Sequence, residues 1–186
     1  MVELSALWLP ILLTSAVMFF AGFLAWMVLP HHKPDWQGLK NEDEFLQTVG
    51  GMNIPEGNYV FPYACDSEAM KSEEHKRRME QGPVGTLQVW GGAPAMGKNL
   101  ALQFVFLMVT NTCLAYLATL GLEIDDGFMP VFRFVTTAGF LTYTAAAVPG
   151  SIWFKLRLPG YLIDGVIHGL IAGAIFGWLW PSGPVL

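Results

Sequence analysis

Few side chains in this 186-residue sequence could do chemistry, and the most pointed pair is Asp164 and His168. They stand four residues apart in YLIDGVIHGLIAGAIFGWLW, so a helix puts both on one face inside an apolar run. Ionisable groups at that depth are costly, which makes a proton or substrate path the functional reading, with Arg133 in the preceding apolar run as a third member. The structural alternative pairs Asp164 with Arg157 or a helix end, leaves His168 neutral against a neighbouring helix, and lets Arg133 reach outward to Asp125 or Asp126. Thr110, Asn111 and Thr112, with Thr136, Thr137, Thr142, Tyr143 and Thr144, are available to complete a polar network. Structural hydrogen bonding is the preferred use, because four spans leave little room for a pore.

His31 and His32 follow the first apolar run, and Cys65 and His75 come later in the same polar segment. Imidazole and thiolate are zinc or copper ligands, but this spacing matches no compact ligand pattern, and adjacent histidines seldom face one ion. The competing reading is a polar collar, HHKPDW, anchoring a helix end, with Trp36 in the headgroups. GAPAMGKN, residues 92–99, imitates a phosphate-binding loop. It carries Asn99 where a magnesium-holding Ser or Thr is needed, and an apolar span follows, so the expectation is a Gly/Pro-rich connection with Lys98 at the interface. No HExxH, GxSxG or dinucleotide fingerprint occurs, so an enzyme is unsupported and no cofactor is expected.

The elements that must position these residues are membrane spans. The chain is 53% hydrophobic and 13% charged, against about a quarter charged for soluble domains, and its mean hydropathy is +0.44. Apolar runs at Ala6–Leu29, Leu100–Leu122, Met129–Val148 and Tyr161–Trp180 are each long enough to cross a hydrocarbon core. Trp8, Trp178 and Trp180 fall at one set of span ends, and Trp26 and Trp153 at the other. Of the ten basic residues, all but Arg133 fall on one side, which predicts both termini outside and the long loop in the cytoplasm. Net charge is −5 with no basic face, so nucleic acid is excluded as a partner. Cys65 and Cys113 are predicted at different depths, so no disulfide is expected. Glu3 sits where a secretory signal would be basic, so the first run reads as a retained span.

Between residues 31 and 98 the sequence predicts a small α+β subdomain. It comprises a helix started by Asn41 and Glu44 and stopped by Gly50-Gly51, a strand in NYVFPY and a polar helix from Asp66 or Ser67 to Gly82. A second strand in VGTLQVW could pair with the first. In the fourth span, Gly165, Gly169, Gly173 and Gly177 recur every four residues and allow a helix to approach closely. The first span, with Ala21 and Ala25, is a candidate for that helix; another subunit is the alternative.

FKLRLPGYLIDGVIHGLIAGAIFGWLW, with its basic turn, polar helix start and glycine-rich last span, resembles the C-terminal part of a bacterial family of small four-span membrane proteins without an assigned activity. That resemblance implies a bacterial inner membrane and transfers no site residues. The expected architecture is therefore an all-α membrane protein, a four-transmembrane-helix bundle with a small α+β cytoplasmic loop domain. Its segments are 1–30, 31–98 and 99–186. The expected role is a non-catalytic accessory, scaffold or assembly subunit that meets the bilayer and a protein partner or a second copy through the fourth helix. A small oligomeric transporter or channel using Asp164, His168 and Arg133 is the alternative, and a metal-handling protein using His31, His32, Cys65 and His75 the third reading.

Overall fold

The computed structural model describes residues 2–183, which are mostly helical. Four helical stretches are long and apolar enough to cross a membrane: Leu4–Val28, Met96–Gly121, Phe128–Trp153 and Leu158–Leu179. Within them at most 28% of the most apolar window is buried, so the greater part of that apolar surface faces outward. The chain forms two compact units, Met1–Gln37 with Ala95–Leu186, and Gly38–Pro94.

In the helical unit, a 3₁₀ turn (Leu4–Leu7) leads into α1 (Trp8–Phe23), which ends in a π-helical turn, Leu24–Val28. A 3₁₀ segment, Pro30–Asp35, follows and belongs to this unit, as do all residues up to Gln37. After α5 (Met96–Gly121), α6 (Phe128–Thr144) gives way to α7 (Ala147–Trp153), and α8 (Leu158–Leu179) closes the unit. The break between α6 and α7 has a simple cause. Pro149 has no N–H for the carbonyl four residues back and its ring crowds that carbonyl, so residues 145–146 form a turn. α1 packs on α5 and α8, and α6 lies along α8 in the most extensive contact. Leu7, Met18, Leu114, Val131, Val135 and Phe176 fill the core.

The helix that covers the glycine face is α6, not the first span. A Cβ on Gly169 would stand 2.9 Å from the Thr136 carbonyl oxygen and 3.0 Å from the Phe140 nitrogen. One on Gly173 would meet the Phe132 carbonyl at 2.8 Å, and one on Gly177 the Phe128 ring at 2.8 Å. Gly139 of α6 answers from the other side, 3.2 Å from the Gly169 Cα on the same test. Only hydrogen at these positions lets the two backbones approach so closely. Ala21 and Ala25 face a different part of α8, described below.

The Gly38–Pro94 unit holds α2 (Glu42–Gly51), β1 (Gly57–Phe61), α3 (Ser67–Lys71), α4 (Glu73–Gln81) and β2 (Gly85–Val89). β1 and β2 pair antiparallel with Tyr59 opposite Leu87. The polar helix expected as one piece is two. Asp66 caps α3 by accepting from the Ala69 N–H at 2.7 Å, and Ser72 then caps α4 by accepting from the His75 N–H at 3.1 Å. A second serine cap followed by two glutamates restarts a helix as readily as the first. Asn41 makes no cap to the backbone; its amide donates to Glu44 at 3.3 Å instead. None of the described residues of this unit is buried.

Candidate functional site

The π-helical turn gives the Leu29 N–H to the Leu24 carbonyl at 2.9 Å, a ring one residue wider than an α-turn. Pro30 then starts the 3₁₀ segment. The three-residue winding brings His32 and Asp35 onto one side, and the His31 and His32 rings, their centroids 4.4 Å apart, both reach the start of α8.

There Asp164 meets both. Its Oδ1 lies 2.9 Å from His31 Nε2 and its Oδ2 2.9 Å from His32 Nε2. On the far side of the second ring, His32 Nδ1 lies 2.6 Å from Asp35 Oδ2. Side-chain exposure is 3% for His32, 6% for Asp35, 14% for Asp164 and 16% for His31, so the site is closed at its centre and open at one rim. The other Asp35 oxygen is buried without a hydrogen-bond partner, with Arg157 Nε no nearer than 3.7 Å. Burial pulls the His32 pKa down, but hydrogen bonds to Asp35 and Asp164, and the charges of both carboxylates, outweigh it and hold the imidazole above its ordinary value.

The ring of His32 is fixed from every direction. Trp26 stacks flat against it at 3.9 Å and 9°, and Tyr161 stands edge-on at 5.6 Å. Gly160 lies beneath, where a Cβ would come within 2.7 Å of His32 Cε1. Asp164 also looks onto an apolar crevice of about 170 Å³ lined by Ala21, Leu24, Ala25, Leu29, Ile167 and His168.

Deeper in the unit, a buried polar track runs between helices. His168 packs edge-on against Tyr143 at 5.3 Å, and Tyr143 donates to the Asn111 side-chain oxygen at 2.9 Å. Asn111 donates onward to Ser15 Oγ at 3.0 Å, beside the buried, unpartnered hydroxyl of Thr14. Thr112, Thr137 and Thr142 turn their hydroxyls back onto their own helices, and those of Thr136 and Thr144 are buried without partners.

Of the residues singled out by sequence, the fold thus brings His31, His32 and Asp164 together, with His168 one turn below. Asp164 takes the two histidines, and Arg157 turns toward Asp35. Cys65 and His75 belong to the other unit; Cys65 is exposed and directs its thiol at Asp66 at 3.5 Å. Arg133 lies exposed on α6, while Asp125 and Asp126 accept backbone N–H groups of Gly183 and Glu123. Asp35, Trp26, Gly160 and Tyr161 went unread as site residues. The His32–Asp35 spacing of three was the one signal available, and it becomes meaningful only in a 3₁₀ turn. Compared with protein-family models, with curated proteins and with solved structures, the chain finds no match, so its functional reading rests on this geometry.

Proposed function

We propose that this is a four-span membrane protein that binds a cation where its first span ends and its fourth begins, and passes it toward the polar track between its helices. The observation that carries the reading is the grip of His31 and His32 on the carboxylate of Asp164. Intramembrane ionisable groups persist where an ion or proton needs them, and a pair of imidazoles leaning on one carboxylate is a place for positive charge. His168, Tyr143, Asn111 and Ser15 supply polar groups inward of it. In this reading the spans form a bundle with both termini outside and the Gly38–Pro94 unit in the cytoplasm, as the one-sided distribution of basic residues favours. The resemblance noted in the last span favours a bacterial inner membrane.

Proteoliposomes carrying a cation-sensitive dye test this directly. Flux should appear with the wild-type chain and vanish with Asp164→Asn, while Arg133→Gln, remote from the site, keeps the wild-type rate. Equal flux in wild-type and Asp164→Asn vesicles overturns the reading.

A second reading, an accessory or assembly subunit, is favoured by a different observation. Leu46, Met52, Tyr63, Met70 and Trp90 of the Gly38–Pro94 unit are all more than half exposed, and that unit buries nothing of its own. Surfaces of this kind mark contact with another protein. Native mass analysis of the gently extracted protein, showing a stoichiometric partner that is lost with Met70→Asp and Trp90→Asp, would establish it.

A further inference from the structure

The donor set narrows the cation, an inference that rests on the cation-binding reading above. We infer that His31, His32 and Asp164 form a three-ligand site for a first-row transition-metal ion of the zinc or cobalt kind, with Asp35 as the residue that positions His32.

The geometry is close to what such an ion requires. One ring nitrogen from each of His31 and His32 and one Asp164 oxygen all lie within 4.8 Å of one another, and both Nε2 atoms stand 2.9 Å from the carboxylate. Around a tetrahedral zinc ion with bonds of about 2.0–2.1 Å, neighbouring ligand atoms stand roughly 3.3 Å apart. The two 2.9 Å contacts of Asp164 need to open slightly and the imidazoles to draw together, movements within the reach of side-chain torsions. In the metal-free arrangement hydrogen bonds join both Nε2 atoms to the carboxylate, and the ion takes the place of those protons.

The surroundings select the ion class. Two imidazole nitrogens and one carboxylate suit zinc, cobalt, nickel or iron(II), whereas magnesium and calcium seek an all-oxygen shell that is absent here. Thiolate donors, which would favour copper(I), are missing from the group. Three protein ligands leave a coordination position open, the arrangement of exchangeable sites rather than of closed structural ones. A metal-bound histidine gives its other ring N–H to a carboxylate, and Asp35 at 2.6 Å from His32 Nδ1 stands in that place, leaving Nε2 directed at the site. A His–Asp contact serving stability alone requires neither the second carboxylate, buried with one oxygen that accepts no hydrogen bond, nor an imidazole locked by Trp26, Tyr161 and Gly160.

The test is titration of the chelator-stripped full chain in detergent with cobalt(II) chloride, followed by visible absorption, with zinc, magnesium and calcium chlorides as competitors. One cobalt per chain should bind, giving the d–d bands of a nitrogen- and oxygen-ligated ion, displaced by zinc and not by magnesium or calcium. His31→Gln and Asp164→Asn should each abolish the bands. Asp35→Asn should weaken binding about 10–100-fold with the bands unmoved, which a merely structural role would not produce. Should Asp164→Asn fail to fold, His31→Gln at the open rim carries the ligand test. Magnesium or calcium binding without cobalt bands overturns the transition-metal assignment and leaves the cation site standing; no binding of any cation overturns both. Bands unchanged in His31→Gln overturn the ligand set, and Asp35→Asn binding as tightly as wild type overturns the positioning role.

Discussion

The two units of this chain handle polar and apolar side chains in opposite ways. In the helical unit, Asn111, Ser15, Thr14 and His32 are buried alongside Leu114, Val131 and Phe176, and its outward surface is apolar. In the Gly38–Pro94 unit no residue is buried, charges pair in the open as Glu74 does with Arg77 and Arg78, and large apolar groups are exposed beside them. The lesson is where structure can be made specific. A buried hydrogen bond is costly to leave unmade and so fixes a geometry, whereas an exposed one competes with water and fixes little. The constellation able to hold an ion accordingly lies in the unit that buries its polar groups.

The comparison can be broken by matched substitutions. Leu114→Ala should destabilise the helical unit by about 2–5 kcal/mol, and Met70→Ala in the other unit should change stability by under about 0.5 kcal/mol. Thermal unfolding in detergent measures both, and equal effects would dissolve the contrast. Gly169→Leu should cost about 1–3 kcal/mol or more, because the added side chain meets the backbone of Thr136 and Phe140 rather than a movable side-chain end. Gly51→Leu, with open space around it, should cost far less in the same unfolding assay. Asn111→Ala strands the Tyr143 hydroxyl and should cost about 1–3 kcal/mol, recovered in part by adding Tyr143→Phe.

The smallest effect is expected at Asp66, whose carboxyl is held below its ordinary value first by the Ala69 N–H and then by Cys65. A depressed carboxyl contributes stability above its unfolded pKa and loses that contribution as pH falls through the folded one. Protection of the Ala69 amide, measured against its intrinsic exchange rate at each pH, should therefore fall on acidification below about pH 4, and Asp66→Ala should remove the dependence.

Much of the fold was legible in the residues. The four apolar stretches follow from length and composition, and β1 with β2 from two short β-prone runs bounded by glycine and proline. Gly165, Gly169 and Gly173 announced a close helix contact, but spacing carries no address, and α6 became the neighbour through the backbone approach at Gly139. Ser72-Glu73-Glu74, a serine followed by two glutamates, is the local signal for the restart at α4. The site was least legible. The adjacency of His31 and His32 argued against a shared ligand in the alternating or hundred-degree geometry of ordinary elements. The 3₁₀ segment spreads neighbours still further, by about 120°, so the two imidazoles meet on Asp164 through their own side-chain torsions, whereas Asp35 joins because that winding sets it on the same side as His32.

The stacking of Trp26 on His32 has an optical consequence. An indole lying flat on an imidazole at 3.9 Å is electronically coupled to it, and its emission follows the charge that ring carries. The chain has seven tryptophans, so the other six supply a steady background against which this one reports. Filling, emptying or distorting the site is thereby written into the colour and yield of the protein's own fluorescence, and Trp26→Phe would silence the reporter while leaving an aromatic face on the ring.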